Sequence, residues 1–281
     1  MKTEYRHKGG RCKFNIQKHS ILLMVLGALF FIGCSNDSNT VDETPKAVDK
    51  TANLKAAGES ANDILSNDNF DKLLVEIAYV KDFRPKADAI TDFEAFLKEY
   101  TFKENIEVMY NELPSPEKDS LSLNEIADLE KENRTAYNDG KTLAIYIYFA
   151  DAPSESDDED EDLVTLGAVY RNTSMVIHES TVKKLAKQSF LISEADIEAA
   201  TLNHEFGHLF GLVDLGTTPV NEHEDPDAEN HCNEENCLMR AELQFGAGMK
   251  KMLTSRVSKG LSSAPGLDPE CILDLQTNGG R

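Results

Sequence analysis

Within five residues, His204-Glu205-Phe206-Gly207-His208, the chain places two imidazoles and a carboxylate, and Gly211 follows shortly after. On an α-helix, residues i and i+4 lie one above the other on one face, so His204 and His208 would point at one spot. Neutral imidazole nitrogens are good Zn²⁺ ligands. Glu205, between them, is placed to act as a base on a zinc-bound water. The plainer reading is a helix that happens to carry two surface histidines. The surrounding residues favour the metal.

The residues before the motif read as a helix start. Ser193 is a suitable N-cap, with Asp196 in the capping-box position and Glu194 in the first turn, where an acid suits the helix dipole. The spacing predicts a helix from about Glu194 to Phe210. Leu202, Phe206, Leu209 and Val213 recur at helical intervals and form a stripe for a core. His204 and His208 fall on the other side, beside small or polar residues such as Thr201, which suits the wall of a cleft. Gly211 can adopt φ > 0, which would end the helix and turn the chain sharply.

Downstream stands His231-Cys232-Asn233-Glu234-Glu235-Asn236-Cys237-Leu238-Met239. Taken with the helix motif, this resembles the metzincin zinc proteases, in which a third ligand and a methionine turn follow H-E-x-x-H-x-x-G. The stretch from His231 to Met239 is similar to the corresponding segment of archaemetzincins, and its His-to-Met spacing is similar to that of matrix metalloproteases. In those families the third zinc histidine stands three residues after the glycine. Here that position is Asp214, and His231 comes 17 residues later. The resemblance covers residues 193–240 closely. It implies an α/β (α+β) fold: a twisted mixed sheet, an active-site helix, a Met-turn at Met239 and a C-terminal helix.

The departure leaves the third ligand open. Asp214 has the right distance from Gly211, and aspartate can ligate zinc. His231 has the right distance to Met239 and the preferred donor, and is favoured. His223, inside the insertion, is a weaker choice. The composition of the insertion suits an exposed excursion. By the resemblance, Met239 forms an apolar floor beneath the metal, although an ordinary core methionine would pack in much the same way. Archaemetzincins use four cysteines for a second, structural zinc. Only Cys232, Cys237 and Cys271 are available here, and Cys271 is far along the chain, so one catalytic Zn²⁺ is expected.

The N-terminus points outside the cytoplasm. A basic segment precedes the apolar run Ile21–Ile32, which is too short for a comfortable membrane span. The run ends at Gly33-Cys34, which resembles a bacterial lipoprotein cleavage box. Residues 1–33 would then be a signal peptide. Cys34 would carry lipid, and the protein would be tethered to a membrane at the cell envelope, as an outer-membrane or cell-surface lipoprotein. Residues 34–65 are polar and read as a flexible tether, leaving 66–281 as the protease domain.

The formal net charge is −21 over 281 residues. A chain this acidic should avoid nucleic acid and anionic lipid surfaces. Much of the charge sits in the run 154–162, which reads as a solvated loop.

Strands are expected at 72–80, 105–110, 142–150, 166–169 and 174–177, the last near the cleft by the resemblance. Helices are expected at 89–100, 123–135 and 268–275. The reading that follows is a membrane-tethered, extracytoplasmic zinc endopeptidase acting on protein or peptide substrates. Two alternatives stand beside it: a non-catalytic zinc-containing lipoprotein that serves as a binding module, and a zinc hydrolase of non-peptide amides.

Overall fold

A computed structural model describes residues 48–158 and 163–281. Cys34 and the segment proposed as a signal peptide lie outside the described residues.

The strands that read most clearly in sequence form the centre. β1 (Lys72–Val80) and β3 (Thr142–Phe149) are near-continuous apolar runs, as strands covered on both faces must be. They pair in parallel with each other. β1 also pairs in parallel with β2 (Asn105–Leu113). Parallel neighbours need long crossovers, and here these contain α2 (Ala87–Tyr100) and α3 (Leu123–Asn133). β5 (Ser174–Ile177) continues the parallel set beside β3. β4 (Gly167–Arg171) closes the edge antiparallel to β5, so the order is β2-β1-β3-β5-β4. The fold is thus a mixed, mostly parallel α/β sheet with helices, in keeping with the class expected.

Each face of the sheet has its own core. The larger core packs Ile77, Ile145, Ile147 and Met175 against α2 and against α5 (Glu194–Leu209). The smaller one gathers Val80, Ile126, Tyr146, Tyr148 and Val176. α3 opens on a capping box in which Ser122 accepts from the Glu125 N–H and the Glu125 side chain reaches back to Ser122. Such a cap contributes about 1 kcal/mol. The C-terminal helix α7 (Pro269–Thr277) starts on the Asp268 cap with proline in its first position, where a missing N–H costs nothing.

Two expectations need correction. The polar composition of 34–65 suggested a tether, but packing begins before residue 66. Asn53 is buried and donates to Asn138, to the Ala144 carbonyl and to Thr173, and α1 (Ala61–Leu65) buries Ile64 and Leu65. A polar side chain with fixed partners inside the fold cannot be told from a solvated one by composition. The strand beside the motif helix is β4 rather than β5, which is enclosed between β3 and β4. Finally, helices α4 (Glu179–Ala186) and α6 (Gly246–Ser258) had no clear signal.

Candidate metal centre

α5 carries the motif. It begins on the expected box, in which Ser193 accepts from the Asp196 N–H and Asp196 returns a bond to the Ser193 N–H at 2.7 Å. Phe206 on its back meets Phe93 edge-on at 5.1 Å and Phe210 at 5.2 Å, fixing the helix against α2. The front is not an open wall, as the residue pattern suggested. From Ile197 to Leu209 nearly every residue is buried, because the sheet covers one flank and the segment around Met239 covers another.

The helix stops where glycine allows it. Gly211 has φ of 75°, and Val213 and Asp214 follow in the same left-handed region at 55° and 60°. That reversal carries the chain away from the motif. Asp214 consequently lies exposed in the turn and is not among the groups that converge on the histidines. The chain returns as a two-stranded hairpin, β6 (Glu224–Asp225) and β7 (Ala228–Cys232), and β7 delivers His231.

His204, His208 and His231 offer ligand nitrogens that all lie within 4.8 Å of one another. Their ring centroids are 4.9 to 5.3 Å apart. Two of the rings are oriented from behind. Nδ1 of His204 bonds the Leu238 carbonyl at 2.8 Å, and Nδ1 of His231 bonds the Glu229 carbonyl at 2.8 Å. Those bonds leave Nε2 of both rings buried with no protein partner. A buried nitrogen without a partner costs roughly 1–3 kcal/mol, which a metal ion would relieve. Nδ1 of His208 is buried without such an orienting carbonyl. Burial holds His204 down to about 3 and holds His208 well below the ordinary histidine range, so both rings stay neutral, the form that ligates.

Glu205 lies beside these rings, fully buried, and burial pushes its carboxyl up to about 8. Gly167 on β4 makes its room: a Cβ there would lie 2.7 Å from Glu205 Cγ. Gly207, inside the helix, does the same for Met239, whose Sδ would be 2.2 Å from a Cβ at that position. Met239 thus sits against the helix between the two motif histidines. Its carbonyl accepts the Cys232 N–H at 2.8 Å, which ties β7 to the methionine turn. Neither glycine's role was readable in advance, since each depends on a neighbour distant in sequence.

His223 is elsewhere. It is buried with its Nε2 on Asp274 at 2.8 Å, and its Nδ1 lies 3.4 Å from Cys232 Sγ. Around it gather Cys232, Cys237, Cys271 and Asp268, with Cys237 and Cys271 Sγ atoms 3.6 Å apart. This corrects the view that Cys271 is too remote to join the other cysteines. α7 packs against the insertion and brings it in, with Asp274 accepting from the Val220 N–H and Glu270 from Asn221. The insertion is therefore pinned at its middle and is not a free excursion. Hydrogen bonds from the Cys237 and Cys271 thiols hold the Cys232 thiol well below the ordinary cysteine range. Of these groups, His223, Cys232, Cys271 and Asp268 bring ligand atoms within 4.8 Å of one another, and thiols, an imidazole and a carboxylate are all donors that zinc accepts.

No protein-family profile and no curated protein matches the chain. Among solved structures, it is similar to an archaemetzincin from Methanopyrus kandleri. The match has a TM-score of 0.47 and 15% sequence identity, and covers 74% of this chain and 96% of that one.

Proposed function

We infer that this chain is a zinc-dependent endopeptidase of metzincin type that works outside the cytoplasm, tethered to a membrane through lipid on Cys34. One observation carries the hydrolase reading. Three imidazoles from two separate segments converge with unpartnered, buried nitrogens, and a buried carboxylate stands beside them.

His204, His208 and His231 would hold the ion, leaving a coordination position for substrate and water. Zinc in such a site supplies Lewis acidity to a carbonyl and lowers the pKa of water. Glu205 takes the proton of the attacking water and delivers it to the leaving amine. The Leu238 and Glu229 carbonyls fix two of the rings, and Met239 closes the floor below them. His223, Cys232, Cys271 and Asp268, whose ligand atoms lie within 4.8 Å of one another, fit a second, structural zinc, with Cys237 Sγ beside them 3.6 Å from Cys271 Sγ, in place of the single ion expected from sequence. Protein or peptide substrates and the absence of nucleic-acid partners belong to the same reading.

The test is cleavage of a peptide library by the wild-type protein beside Glu205→Ala, with bound zinc measured in both. Wild-type cleavage that disappears in the variant while zinc is retained supports the reading. Equal cleavage by both proteins, or none by a zinc-loaded wild type, would refute it.

A further inference from the structure

His231 reaches the metal centre through an irregularity of its strand. Glu224 and Asp225 are consecutive on β6, but Glu224 pairs with Cys232 and Asp225 with Ala228, four residues apart on β7. Glu229, Asn230 and His231 therefore form a bulge with nothing opposite. Bulges re-aim side chains and are over-represented beside active sites. In a regular strand the carbonyls lie along the ladder and the side chains stand perpendicular to it. A ring at 231 would then not meet the carbonyl at 229. Here Nδ1 of His231 does meet it, at 2.8 Å.

The residue between them makes this possible. Asn230 has φ of 61°, in the left-handed region, where asparagine is enriched and a β-branched residue is an outlier. The bulge takes the Asn230 N–H out of register with β6, and Oε1 of Glu224, on that facing strand, accepts it. On the other side of His231, the Cys232 N–H is held by the Met239 carbonyl. The third imidazole is thus fixed from both directions. A carbonyl on Nδ1 makes that nitrogen the donor and leaves the Nε2 lone pair for a metal. If the backbone at 230 relaxed, the ring would lose both its aim and its tautomer.

We propose that Asn230 and Glu224 are positioning residues of the metal centre: the left-handed turn at Asn230, held by Glu224, aims the His231 ring and sets its tautomer. This rests on the reading that His231 is the third ligand. Neither residue touches the ion or a substrate. Losing the outer partners of a ligating histidine typically lowers metal affinity by about tenfold to a hundredfold.

The test uses the full chain and two pairs of substitutions. Asn230→Gly keeps the left-handed backbone, whereas Asn230→Val opposes it. Glu224→Gln keeps an oxygen acceptor, whereas Glu224→Ala removes it. The zinc of the histidine centre is identified as the zinc that His231→Ala fails to retain. Its affinity is measured by chelator competition, and the His231 tautomer by imidazole nitrogen NMR shifts in metal-free protein. We expect Asn230→Val and Glu224→Ala to lose affinity by about tenfold to a hundredfold and to lose the Nδ1-protonated signature, with Asn230→Gly and Glu224→Gln near wild type. Should Asn230→Val not fold, the Glu224 pair decides alone. Wild-type affinity and tautomer in Asn230→Val and Glu224→Ala, while His231→Ala loses zinc, would overturn this proposal and leave the metal centre standing. So would equal losses within each pair, or a fall in thermal stability with unchanged zinc affinity, which would mark a merely structural role. Full zinc retention in His231→Ala would instead overturn the metal centre, and this proposal with it.

Discussion

Two buried polar regions of this protein have opposite states of satisfaction. On the α3 side, Arg134 donates to Glu130 at 2.7 Å and to the Ala136 and Ala144 carbonyls at 2.7 and 2.8 Å. Glu130 also receives Arg171 at 2.8 Å and Ser174 at 2.7 Å, and Glu76 accepts the Thr135 and Ala136 N–H groups. Every oxygen of these carboxylates and every nitrogen of the Arg134 fork has a protein partner. At the α5 end, Nε2 of His204 and Nε2 of His231 have no protein partner, and the Glu205 carboxylate has no side-chain partner, with only the backbone of Val169 reaching it. Burial is equally complete in both places. The first region is finished by folding, whereas the second is left with valences that only something outside the chain can fill. Such open valences separate a site from a structural network.

The sharpest way to break the contrast is to remove one group from each side. Glu205→Ala should lower peptide cleavage by roughly two to four orders of magnitude with little change in thermal stability, because the carboxylate serves chemistry and not folding. Arg134→Ala should do the reverse. Glu130 keeps Arg171 and Ser174, but the Ala136 and Ala144 carbonyls lose their buried donor, and together with the weakened ion pair this costs about 3 kcal/mol, to be read in urea denaturation, while the zinc affinity of whatever remains folded stays the same. If Glu205→Ala destabilised the protein as much as Arg134→Ala, the two regions would not differ in kind.

Gly207→Ala lies between these effects. The added methyl would force Met239 off the helix, costing about 1–3 kcal/mol and displacing the floor beneath His204 and His208. Zinc affinity and stability should fall together. An unchanged melting curve would mean that Met239 moves aside freely.

The most gradual effect concerns pH. Glu179 and Glu198 are buried against each other, and burial pushes both carboxyls up, so the pair retains a proton after folding. The folded state then binds more protons than the unfolded chain. Stability is fully present below the ordinary glutamate value of 4.5 and is lost as pH climbs from there through neutrality, by up to about 1.4 kcal/mol per pH unit for each proton held. Glu179→Gln should flatten that slope in denaturation series run across the window. An unaltered slope would assign the proton elsewhere.

Much of this was legible beforehand, for identifiable reasons. β1 and β5 have the bounds their apolar runs suggest, and α5 starts at its capping box, because these features are local. α6 escaped because two glycines and no acidic cap open it, and its side chains lack a clear stripe. Within the site, His204, Glu205 and His208 are set by helical spacing alone. His231 could only be one of several candidates, because its place depends on a hairpin whose partner strand is two residues long. Cys271 joins Cys232 and Cys237 through the docking of α7 on the insertion, a tertiary event with no local trace.

The central claim is that His231, and not Asp214, completes the metal centre. Zinc bound by His231→Ala and Asp214→Ala after dialysis against a mild chelator tests it directly, since two histidines alone hold zinc poorly. The convergence of the three rings predicts that His231→Ala loses the zinc of the histidine centre while Asp214→Ala keeps the wild-type content. Full retention in His231→Ala together with loss in Asp214→Ala would contradict it.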